Sequence, residues 1–439
     1  MKILFLSPSG APEFKLNLFR RFTEIGELVG YLSSMEGIEV EYFDAVLEGA
    51  TNFEIIGKFC EKVDLVIFYT RVSDAPEVVY LAGVLKSISP KTEVFVYGDA
   101  TFFIPQFFVR SEIEYVHLSG DPESAVDGVL KLHRKEVLQY PGLMAFGKPP
   151  KSSGLNVSAD NWGWPALSQL PIDAYLKYYT EKKKDKPFET SFTVSRGCGT
   201  NCTYCPVPKK EGVKDRRRSI DQVISWIERT KHFAGMVKLH TPDIAGDPGW
   251  MSDFSEAIAS MKSAPQWRSI AILNNLTTDL IDSIKGSGCW MIGFGLETMS
   301  LNRKLGPKGE QSHLIRCLKA MLDNKIIPEA FLMIGYPGQK DKDIRYMISL
   351  LRDYNVVIRP TGFTPFYRLR NLSVTELESL DLRRWDKRTF YDEKSARHIS
   401  KDLFYRAILR DWDYVLSSAH QVEDQEIPTE REVLWMPAN

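Results

Sequence analysis

The chain has 439 residues, which exceeds one ordinary hydrophobic core and predicts roughly two to four domains. Its 44% hydrophobic and 26% charged residues are typical of a globular protein, and its net charge of −1 directs it towards neither nucleic acid nor an anionic membrane. We find no signal peptide and no apolar run of about eighteen residues, so we expect a cytoplasmic protein without membrane contact. In that compartment the six cysteines favour metal binding or catalysis over disulfides.

Residues 1–130 alternate short apolar runs with amphipathic helical stretches. Buried parallel strands have this pattern, because each needs a crossover helix before the next strand. We therefore predict a doubly wound, Rossmann-like α/β domain with the flavodoxin-like strand order. Its predicted strands are Lys2–Ser7, Glu39–Phe43, Asp64–Tyr69, Glu93–Tyr97 and Glu114–His117.

The alternation lapses over residues 131–187, where proline and glycine recur, and we predict a linker there. A second alternating series fills residues 188–370 and predicts a partial (β/α)6 barrel. Residues 371–439 are helical and rich in aromatic residues, and they are expected either to cap the barrel mouth and shape a substrate pocket or simply to pack as core. The predicted barrel strands are Thr190–Ser195, Met236–His240, Ser269–Leu273, Met291–Phe294, Glu329–Ile334 and Val356–Phe363.

Three cysteines follow the first predicted barrel strand. Cys198, Cys202 and Cys205 have the spacing C-x3-C-x2-C on a loop that contains glycine. Three thiolates can hold three irons of a cubane cluster, which leaves the fourth iron open to chelate an amino and a carboxylate group. A structural zinc site is the alternative, but it needs a fourth ligand, and the nearest histidines lie on a predicted helix and a predicted strand.

This segment resembles the radical S-adenosylmethionine (radical SAM) superfamily, whose signature is this triad with an aromatic residue before the last cysteine, here Tyr204. Further motifs that carry the resemblance are Thr241-Pro-Asp-Ile244, Gly293-Phe-Gly-Leu-Glu-Thr298 and Gly335-Tyr-Pro-Gly-Gln339, each at the end of a predicted strand, where barrel active sites lie. The resemblance implies a [4Fe–4S] cluster, S-adenosylmethionine and its cleavage to a 5′-deoxyadenosyl radical. The S-adenosylmethionine contacts that it implies are Tyr204, Pro242, Asp243, Asn274, Glu297 and Gly335, with Glu297 at the ribose hydroxyls. Asn275, next to Asn274, is a further implied polar contact to the ribose or carboxylate.

The N-terminal domain resembles the cobalamin-binding module that precedes the barrel in one large radical SAM subfamily. Gly37-Ile-Glu-Val-Glu-Tyr-Phe-Asp44 and Gly120-Asp-Pro-Glu123 carry this resemblance among other segments. Paired glycines after the fourth strand are reduced to Gly98, and the D-x-H-x-x-G motif is absent, so the resemblance implies cobalamin without histidine ligation. A vestigial domain that binds nothing is the alternative. The implied cobalamin contacts are Ser7, Ser9, Gly10, Thr70, Arg71, Val72, Gly98, Asp99 and Ala100.

Arg71 is expected on the loop that faces the lower side of cobalt. A guanidinium cannot ligate the metal, so Arg71 either keeps that face open or is an ordinary exposed arginine.

Two further patterns concern charge and cysteine. Lys209, Lys210, Lys214 and Arg216–Arg218 form a basic run beside the cysteine loop, which could dock a flavodoxin- or ferredoxin-type electron donor or could be a solvated face. Cys60, Cys289 and Cys317 lie in helical or strand contexts, and we expect them to be small core residues.

Taken with the resemblance, the sequence predicts a cobalamin-dependent radical SAM methyltransferase acting on an unactivated carbon of a small molecule or peptide, with no nucleic acid partner. One alternative is a cyclase, rearrangement enzyme or epimerase of the same build, without net methyl transfer. Another is a non-enzymatic iron–sulfur electron-transfer or sensor protein. A methylthiotransferase is disfavoured, because that class brings a second cysteine triad in its N-terminal domain, where this chain has only Cys60.

Overall fold

A computed structural model describes most of the chain and divides it into two compact units. The described residues are 1–7, 20–182, 187–200, 202–298, 310–387 and 390–417. The first unit comprises Met1–Phe192, Lys209–Gly212 and Leu369–Arg384, and the second comprises Thr193–Pro208, Val213–Arg368 and Trp385–Asn439. Within the described ranges, no helix combines the length and apolarity needed to cross a membrane.

The first unit is built on a six-stranded sheet of order β2-β1-β3-β4-β5-β6. Strands β1 to β5 run parallel, and β6 is antiparallel to β5. This order confirms the predicted doubly wound sheet. From β1 the chain adds β2 on one side and β3 to β5 on the other, so the strand order switches between β1 and β3. The strands are β1 (Lys2–Ser7), β2 (Glu39–Asp44), β3 (Leu65–Tyr69), β4 (Glu93–Tyr97), β5 (Tyr115–His117) and β6 (Leu143–Ala145).

Helices cover the sheet of the first unit, and the central strands are apolar on both faces, so that all five residues of β3 are buried. A π-helical segment, Arg21–Gly26, continues directly into the first α-helix. The helices are α1 (Glu27–Ser33), α2 (Ala45–Glu48), α3 (Asn52–Phe59), α4 (Ala75–Ile88), α5 (Asp99–Phe103), α6 (Pro122–His133) and α7 (Ile172–Lys182).

Residues 131–187, for which the sequence predicts a linker, contribute strand β6 and helix α7 to the first unit. Close packing fixes part of this segment on α1. A Cβ atom on Gly30 would lie 1.9 Å from the carbonyl oxygen of Trp164, so only glycine permits this approach. The Trp162 and Tyr175 side chains of this segment are also buried, so the segment packs as part of the domain.

A second six-stranded sheet has the order β14-β13-β12-β11-β10-β7, and the short strands β8 and β9 pair antiparallel with each other. The registers from β10 to β14 are parallel throughout. This architecture confirms the predicted partial barrel. Its strands are β7 (Glu189–Thr193), β8 (Ser195–Arg196), β9 (Arg216–Arg217), β10 (Met236–His240), β11 (Gln266–Ala271), β12 (Cys289–Glu297), β13 (Ile327–Ile334) and β14 (Val357–Gly362).

The helices that alternate with these strands are amphipathic. On α9, for example, Val223, Trp226 and Ile227 are buried, and the Ser219 hydroxyl caps the N-terminus by accepting the Gln222 N–H. The remaining helices of the described residues are α8 (Val207–Lys210), α9 (Ile220–Thr230), α10 (Pro248–Ala259), α11 (Thr278–Ser283), α12 (Gln311–Asp323), α13 (Asp341–Asp353), α14 (Val374–Ser379), α15 (Lys401–Leu409) and α16 (Trp412–Ser417).

The C-terminal region is shared between the two units. Residues 369–384, including α14, belong to the first unit, where the Gln106 side-chain amide donates to the carbonyls of Leu369 (3.0 Å) and Leu372 (2.8 Å). Helices α15 and α16 belong to the second unit, where the Phe404 ring lies against the chain at Gly335. The region predicted as a single barrel cap is thus two separate pieces.

Candidate active site

The cysteine loop brings the three predicted cluster cysteines together. The Cys198 sulfur lies 3.0 Å and the Cys202 sulfur 3.7 Å from the same hydroxyl oxygen, that of Thr200. The Cys205 amide donates to the Cys202 carbonyl at 3.1 Å, and the Tyr367 hydroxyl donates to the Cys205 carbonyl at 3.1 Å. Burial raises the pKa of the Cys205 thiol to about 11. Iron binding must therefore displace its proton.

This donor set fits a cubane cluster. In the described part of the chain, no three His, Cys, Asp or Glu side chains are arranged as ligands of one metal ion. A cubane makes a different demand, because each cysteine binds its own iron atom. Thr203, between the second and third cysteines, has a buried hydroxyl oxygen with no hydrogen-bond partner among the described residues. The Thr203 hydroxyl is thus a polar group next to two of the cysteines whose hydrogen-bonding capacity is unused among the described residues.

The loop lies beside the end of β10. The Val194 amide, just before β8, donates to the His240 carbonyl at 2.7 Å, and the Ser195 and Thr241 hydroxyls are 2.6 Å apart. Thr241 opens the Thr241–Ile244 motif. The triad and this motif are therefore neighbours at the carboxyl edge of the barrel sheet, where barrel sites form.

Tyr204 and Glu297 come from separate motifs and meet in the structure. The Tyr204 hydroxyl donates to the Glu297 Oε1 at 3.0 Å. Burial, followed by the charge of Glu297, raises the pKa of Tyr204 well above its usual range, so the phenol remains a donor.

Glu297 ends β12 at a local irregularity. The register with β13 shifts between Gly295 and Glu297, and Glu297 has φ +55. A bulge of this kind re-aims a side chain. Left-handed backbone in a residue other than glycine costs roughly 1–2 kcal/mol, and such outliers cluster at functional sites.

The Gly335–Gln339 loop is closed by one of its own side chains. The Gln339 side-chain oxygen accepts from the Gly335 N–H at 2.8 Å, and its side-chain nitrogen donates to the Met333 carbonyl at 3.0 Å. Gly335 has φ +86, and a Cβ atom there would lie 3.1 Å from the Phe404 ring. The next residue, Tyr336, stacks edge-to-face on Phe363 at 5.0 Å between ring centroids, and Tyr204 packs against this pair.

Asp243 is buried and braces two strand ends. Its carboxylate accepts from the Ala245 N–H (3.1 Å), the Ile272 N–H (2.9 Å) and the Asn275 side-chain amide (2.6 Å). Burial raises its pKa, and these donors oppose the rise. Pro242 is half-buried beside it, and Asn274 is exposed on the same turn as Asn275. Of the two asparagines predicted as S-adenosylmethionine contacts, Asn275 is the one whose side chain hydrogen-bonds to Asp243.

In the first unit, the predicted cobalamin residues that are described lie at the ends of β1, β3 and β4. Ser9 and Gly10 lie outside the described residues, whereas Ser7 is buried at the end of β1. The Thr70 amide donates to the Tyr97 carbonyl at 2.9 Å, and the Thr70 carbonyl accepts from the Ala100 N–H at 3.3 Å. Val72 is buried at the start of the following 3₁₀ turn.

Gly98 permits the contact between the ends of β3 and β4. It has φ +126, and a Cβ atom there would lie 2.3 Å from the Thr70 carbonyl oxygen. Only glycine combines this backbone conformation with this approach. Glycine is therefore required at position 98 because the backbone after β3 packs directly against it.

Arg71 is half-buried and held by its own loop. Its Nε and terminal nitrogen donate to the two Asp74 carboxylate oxygens at 2.8 and 2.9 Å. Its predicted place below cobalt stays a prediction, but the guanidinium is fixed by a bidentate ion pair.

Asp99 belongs to a charge-balanced cluster at this edge. It lies 2.8 Å from the Lys210 ammonium and 3.7 Å from the Arg20 guanidinium, and Arg20 also pairs with Glu24 at 2.8 Å. The Tyr69 hydroxyl, at the end of β3, hydrogen-bonds to Glu24 and accepts from Arg20.

Several residues of the basic run make internal contacts and do not form a solvated face, and docking of an electron donor on the others stays a prediction. Lys210 pairs with Asp99, and Arg218 is fully buried with its Nε donating to the Thr193 carbonyl at 2.8 Å. Arg217 donates to Asp215 at 2.7 Å and to the Ile244 carbonyl at 3.1 Å. Lys209 and Lys214 remain exposed.

Among the other cysteines, Cys317 is buried and Cys289 is half-buried, whereas Cys60 is exposed. The prediction of a core position is therefore wrong for Cys60. It ends α3 as the C-cap, outside that helix's buried stripe of Ile55 and Phe59.

His117, the first histidine of the chain, is buried and has a structural role. Its Nε2 lies 3.0 Å from the Ser119 carbonyl and 3.1 Å from the Gly120 carbonyl. Burial, and then the charge of Lys210, lowers its pKa to about 4. This histidine is neutral at physiological pH.

Comparison with protein families identifies the barrel. Residues 192–351 match the model of the radical SAM superfamily. This chain contains a radical SAM domain. The match includes the cysteine triad and the motifs around Asp243, Glu297 and Gly335, and it confirms the resemblance stated from the sequence.

Curated relatives of the chain include several methyltransferases. An uncharacterized methyltransferase of Pyrococcus horikoshii is 23% identical over 81% of this chain and 79% of its own length. Cytidylyl-2-hydroxyethylphosphonate methyltransferase of Streptomyces wedmorensis is 25% identical, but the match covers 39% of this chain and 35% of that protein. A ribosomal protein uS12 methylthiotransferase of Dictyoglomus thermophilum is 23% identical over 57% of this chain and 60% of its own length.

Two solved structures share the fold beyond the radical SAM domain. The radical S-adenosylmethionine methyltransferase TsrM of Kitasatospora setae, solved with cobalamin and a [4Fe–4S] cluster, has a TM-score of 0.68 at 12% identity, covering 94% of this chain and 90% of that one. The cobalamin-dependent radical enzyme OxsB, solved with aqua-cobalamin and S-adenosylmethionine, has a TM-score of 0.65 at 14% identity, covering 94% and 56%. At these identities the likeness shows the fold, and it confirms the predicted succession of a Rossmann-like domain and a radical SAM barrel.

Proposed function

We propose that this chain is a cobalamin-dependent radical SAM methyltransferase that acts on an unactivated carbon of a small molecule or peptide. The observation that carries the proposal is the convergence of the three-cysteine loop, the Tyr204–Glu297 pair and the Asp243 brace at one edge of the radical SAM domain. The likeness in fold to two structures solved with cobalamin and the methyltransferase names of two relatives support it.

When bound, the cluster supplies the electron that cleaves S-adenosylmethionine, and cobalamin carries the methyl group. The residues of this chain bind and orient these groups. Cys198, Cys202 and Cys205 would hold three irons, and Glu297, fixed by the Tyr204 hydroxyl, would bind the ribose hydroxyls. The Asp243 carboxylate joins two strand ends, and the Gly335 loop with the Tyr336–Phe363 pair would exclude water from the adenine.

The first unit suits a cobalamin that has no histidine ligand from the protein. Residues 1–192 contain only His117 and His133. His117 faces two backbone carbonyls, and His133 pairs with Glu93 at 2.7 Å. We propose that Arg71, held by Asp74, would lie near the lower side of cobalt. Because a guanidinium cannot coordinate metal, it would keep that side free of a protein ligand.

Iron content tests the cluster. Anaerobically reconstituted protein should hold about four irons and show a reducible cubane spectrum that changes when S-adenosylmethionine is added. Alanine at any one of the three triad cysteines should abolish both cluster binding and 5′-deoxyadenosine formation. The matched controls Cys60→Ala, Cys289→Ala and Cys317→Ala should retain both. Cleavage of S-adenosylmethionine by a triple triad variant would contradict the proposal.

Cobalamin retention tests the first unit. The full chain should bind cobalamin in a form without histidine coordination, visible in its electron paramagnetic resonance spectrum. Gly98→Glu should weaken binding, because any side chain at residue 98 collides with the Thr70 carbonyl. A full chain that retains no cobalamin would make the first unit a vestigial domain.

Product stoichiometry separates methyl transfer from the alternatives. With its substrate present, a methyltransferase of this kind should form S-adenosylhomocysteine and 5′-deoxyadenosine in about equal amounts, and the product should carry label from methyl-labelled S-adenosylmethionine. A cyclase, rearrangement enzyme or epimerase needs no stoichiometric S-adenosylhomocysteine, so an unlabelled product would favour that class. An electron-transfer or sensor protein would form neither by-product. A flavodoxin- or ferredoxin-type donor is the proposed source of electrons.

A further inference from the structure

The Thr200 hydroxyl contacts two cysteine sulfurs in the cysteine loop, which the spacing of the cysteines in the sequence does not predict. Thr200 lies between the first two cysteines, and its hydroxyl oxygen is 3.0 Å from the Cys198 sulfur and 3.7 Å from the Cys202 sulfur. The C-x3-C spacing places no demand on the side chain at this position, since only the cysteines bind iron. A hydroxyl that contacts two ligand sulfurs at once therefore needs its own explanation.

The chemistry of this contact changes when the thiols lose their protons. With the cysteines as thiols, the Cys202 sulfur donates to the Thr200 hydroxyl oxygen, and either partner can donate in the contact with Cys198. Iron binding requires thiolates. A thiolate has no proton, so the Thr200 hydroxyl then supplies the hydrogen bond, and the Cys198 sulfur is the nearer acceptor. A hydroxyl donating to a ligand sulfur stabilises negative charge on the cluster, and reduction adds such charge.

We propose that Thr200 raises the reduction potential of the cluster by donating a hydrogen bond to the Cys198 thiolate. Hydrogen bonds to the sulfurs are one of the terms that set the potential of iron–sulfur clusters. The hydroxyl makes the cluster easier for a physiological donor to reduce. This inference rests on the proposed function, because it requires that the three cysteines hold a cluster.

Redox titration of reconstituted wild type and Thr200→Val, followed by electron paramagnetic resonance, tests the inference. Valine keeps the shape of threonine and removes the hydroxyl. The equilibrium constant for one-electron reduction should fall about tenfold in T200V, a shift of about 59 mV to more negative potential. Thr200→Ser keeps the hydroxyl and should stay within about twofold of wild type. Both variants should hold the iron content of wild type.

Thr230→Val is the matched control for losing a buried threonine hydroxyl. Thr230 donates to the Trp226 carbonyl within α9 and has no role in the loop, so the potential should not change. A T200V cluster with full iron content and the wild-type potential would overturn the inference. So would loss of the cluster in both T200V and Thr200→Ala while T200S retains it, because the hydroxyl would then build the loop. A wild-type protein that binds no cluster would instead contradict the proposed function itself.

Discussion

Replacing Tyr204 with phenylalanine isolates the hydrogen bond that holds Glu297. Phenylalanine retains the ring that packs against Tyr336 and Phe363 and removes only the hydroxyl 3.0 Å from the Glu297 Oε1. A hydrogen bond to a charged group contributes roughly 1.5–3 kcal/mol. Because Glu297 has φ +55, its carboxylate should relax when this bond is lost. A loss of about 1.5 kcal/mol corresponds to an about tenfold higher dissociation constant for S-adenosylmethionine.

The assay is equilibrium binding of S-adenosylmethionine to reconstituted protein, with iron content measured on the same samples. Y204F should keep its irons and bind about tenfold more weakly, and the KM for 5′-deoxyadenosine formation should rise more than kcat falls. In a Glu297→Ala background, Y204F should have little further effect, since the two residues act through one contact. Tyr346→Phe, which removes an exposed hydroxyl bound to Gln311, is the control. Additive effects of Y204F and E297A would refute this reasoning.

Three other perturbations concern stability, measured by urea unfolding of the full chain. Glu329 is buried between Arg359 and Arg268, so Glu329→Ala should lower the free energy of unfolding by about 3 kcal/mol, the lower end for a broken buried pair because Arg359 is partly exposed. Glu228→Ala, in an exposed pair with Lys231, should lower it by less than about 0.5 kcal/mol. The pKa of His117 is lowered to about 4 in the folded chain, so on acidification the unfolded chain takes up a proton on this histidine before the folded chain does. The free energy of unfolding should therefore fall by about 3 kcal/mol between pH 6.5 and pH 4. H117Q should lack this fall, and an H117Q variant with the pH dependence of wild type would contradict the prediction. Asn275→Asp sets a second carboxylate against Asp243, so stability should fall at neutral pH and recover in acid; a loss independent of pH would argue against charge repulsion as the cause.

Much of the site could be predicted from the sequence because its motifs are local. The cysteine spacing, Tyr204 before Cys205 and Glu297 in its strand-end motif are all visible in short windows of the chain. The rule that barrel sites form at strand ends then predicts that these windows meet. The structure brings Tyr204 and Glu297 together, although 93 positions separate them. The strand order of the first unit was accessible for a similar reason, since parallel strands with crossover helices leave a periodic pattern.

Other features depended on approach between distant backbones, which no local pattern records. The Trp164 carbonyl packs on Gly30 and makes residues 131–187 part of a domain, although their composition resembles a linker. The choice of Asn275 over Asn274 follows from which side of a 3₁₀ turn faces Asp243. Lys210 and Arg218 belong to a basic run by sequence, but their contacts with Asp99 and Thr193 appear only when the chain is folded.

The sequence by itself determined the radical SAM character of this protein, because the chemistry needs fixed residue types at fixed spacings. The tertiary structure decided how the side chains are held: the bulge that turns Glu297, the carboxylate of Asp243 shared among three donors, and the Thr200 hydroxyl between two sulfurs. Spacing selects which residues can bind a group. Only the packing of distant segments sets their orientation, hydrogen-bond partners and pKa values, since these depend on atoms that the local sequence does not contain.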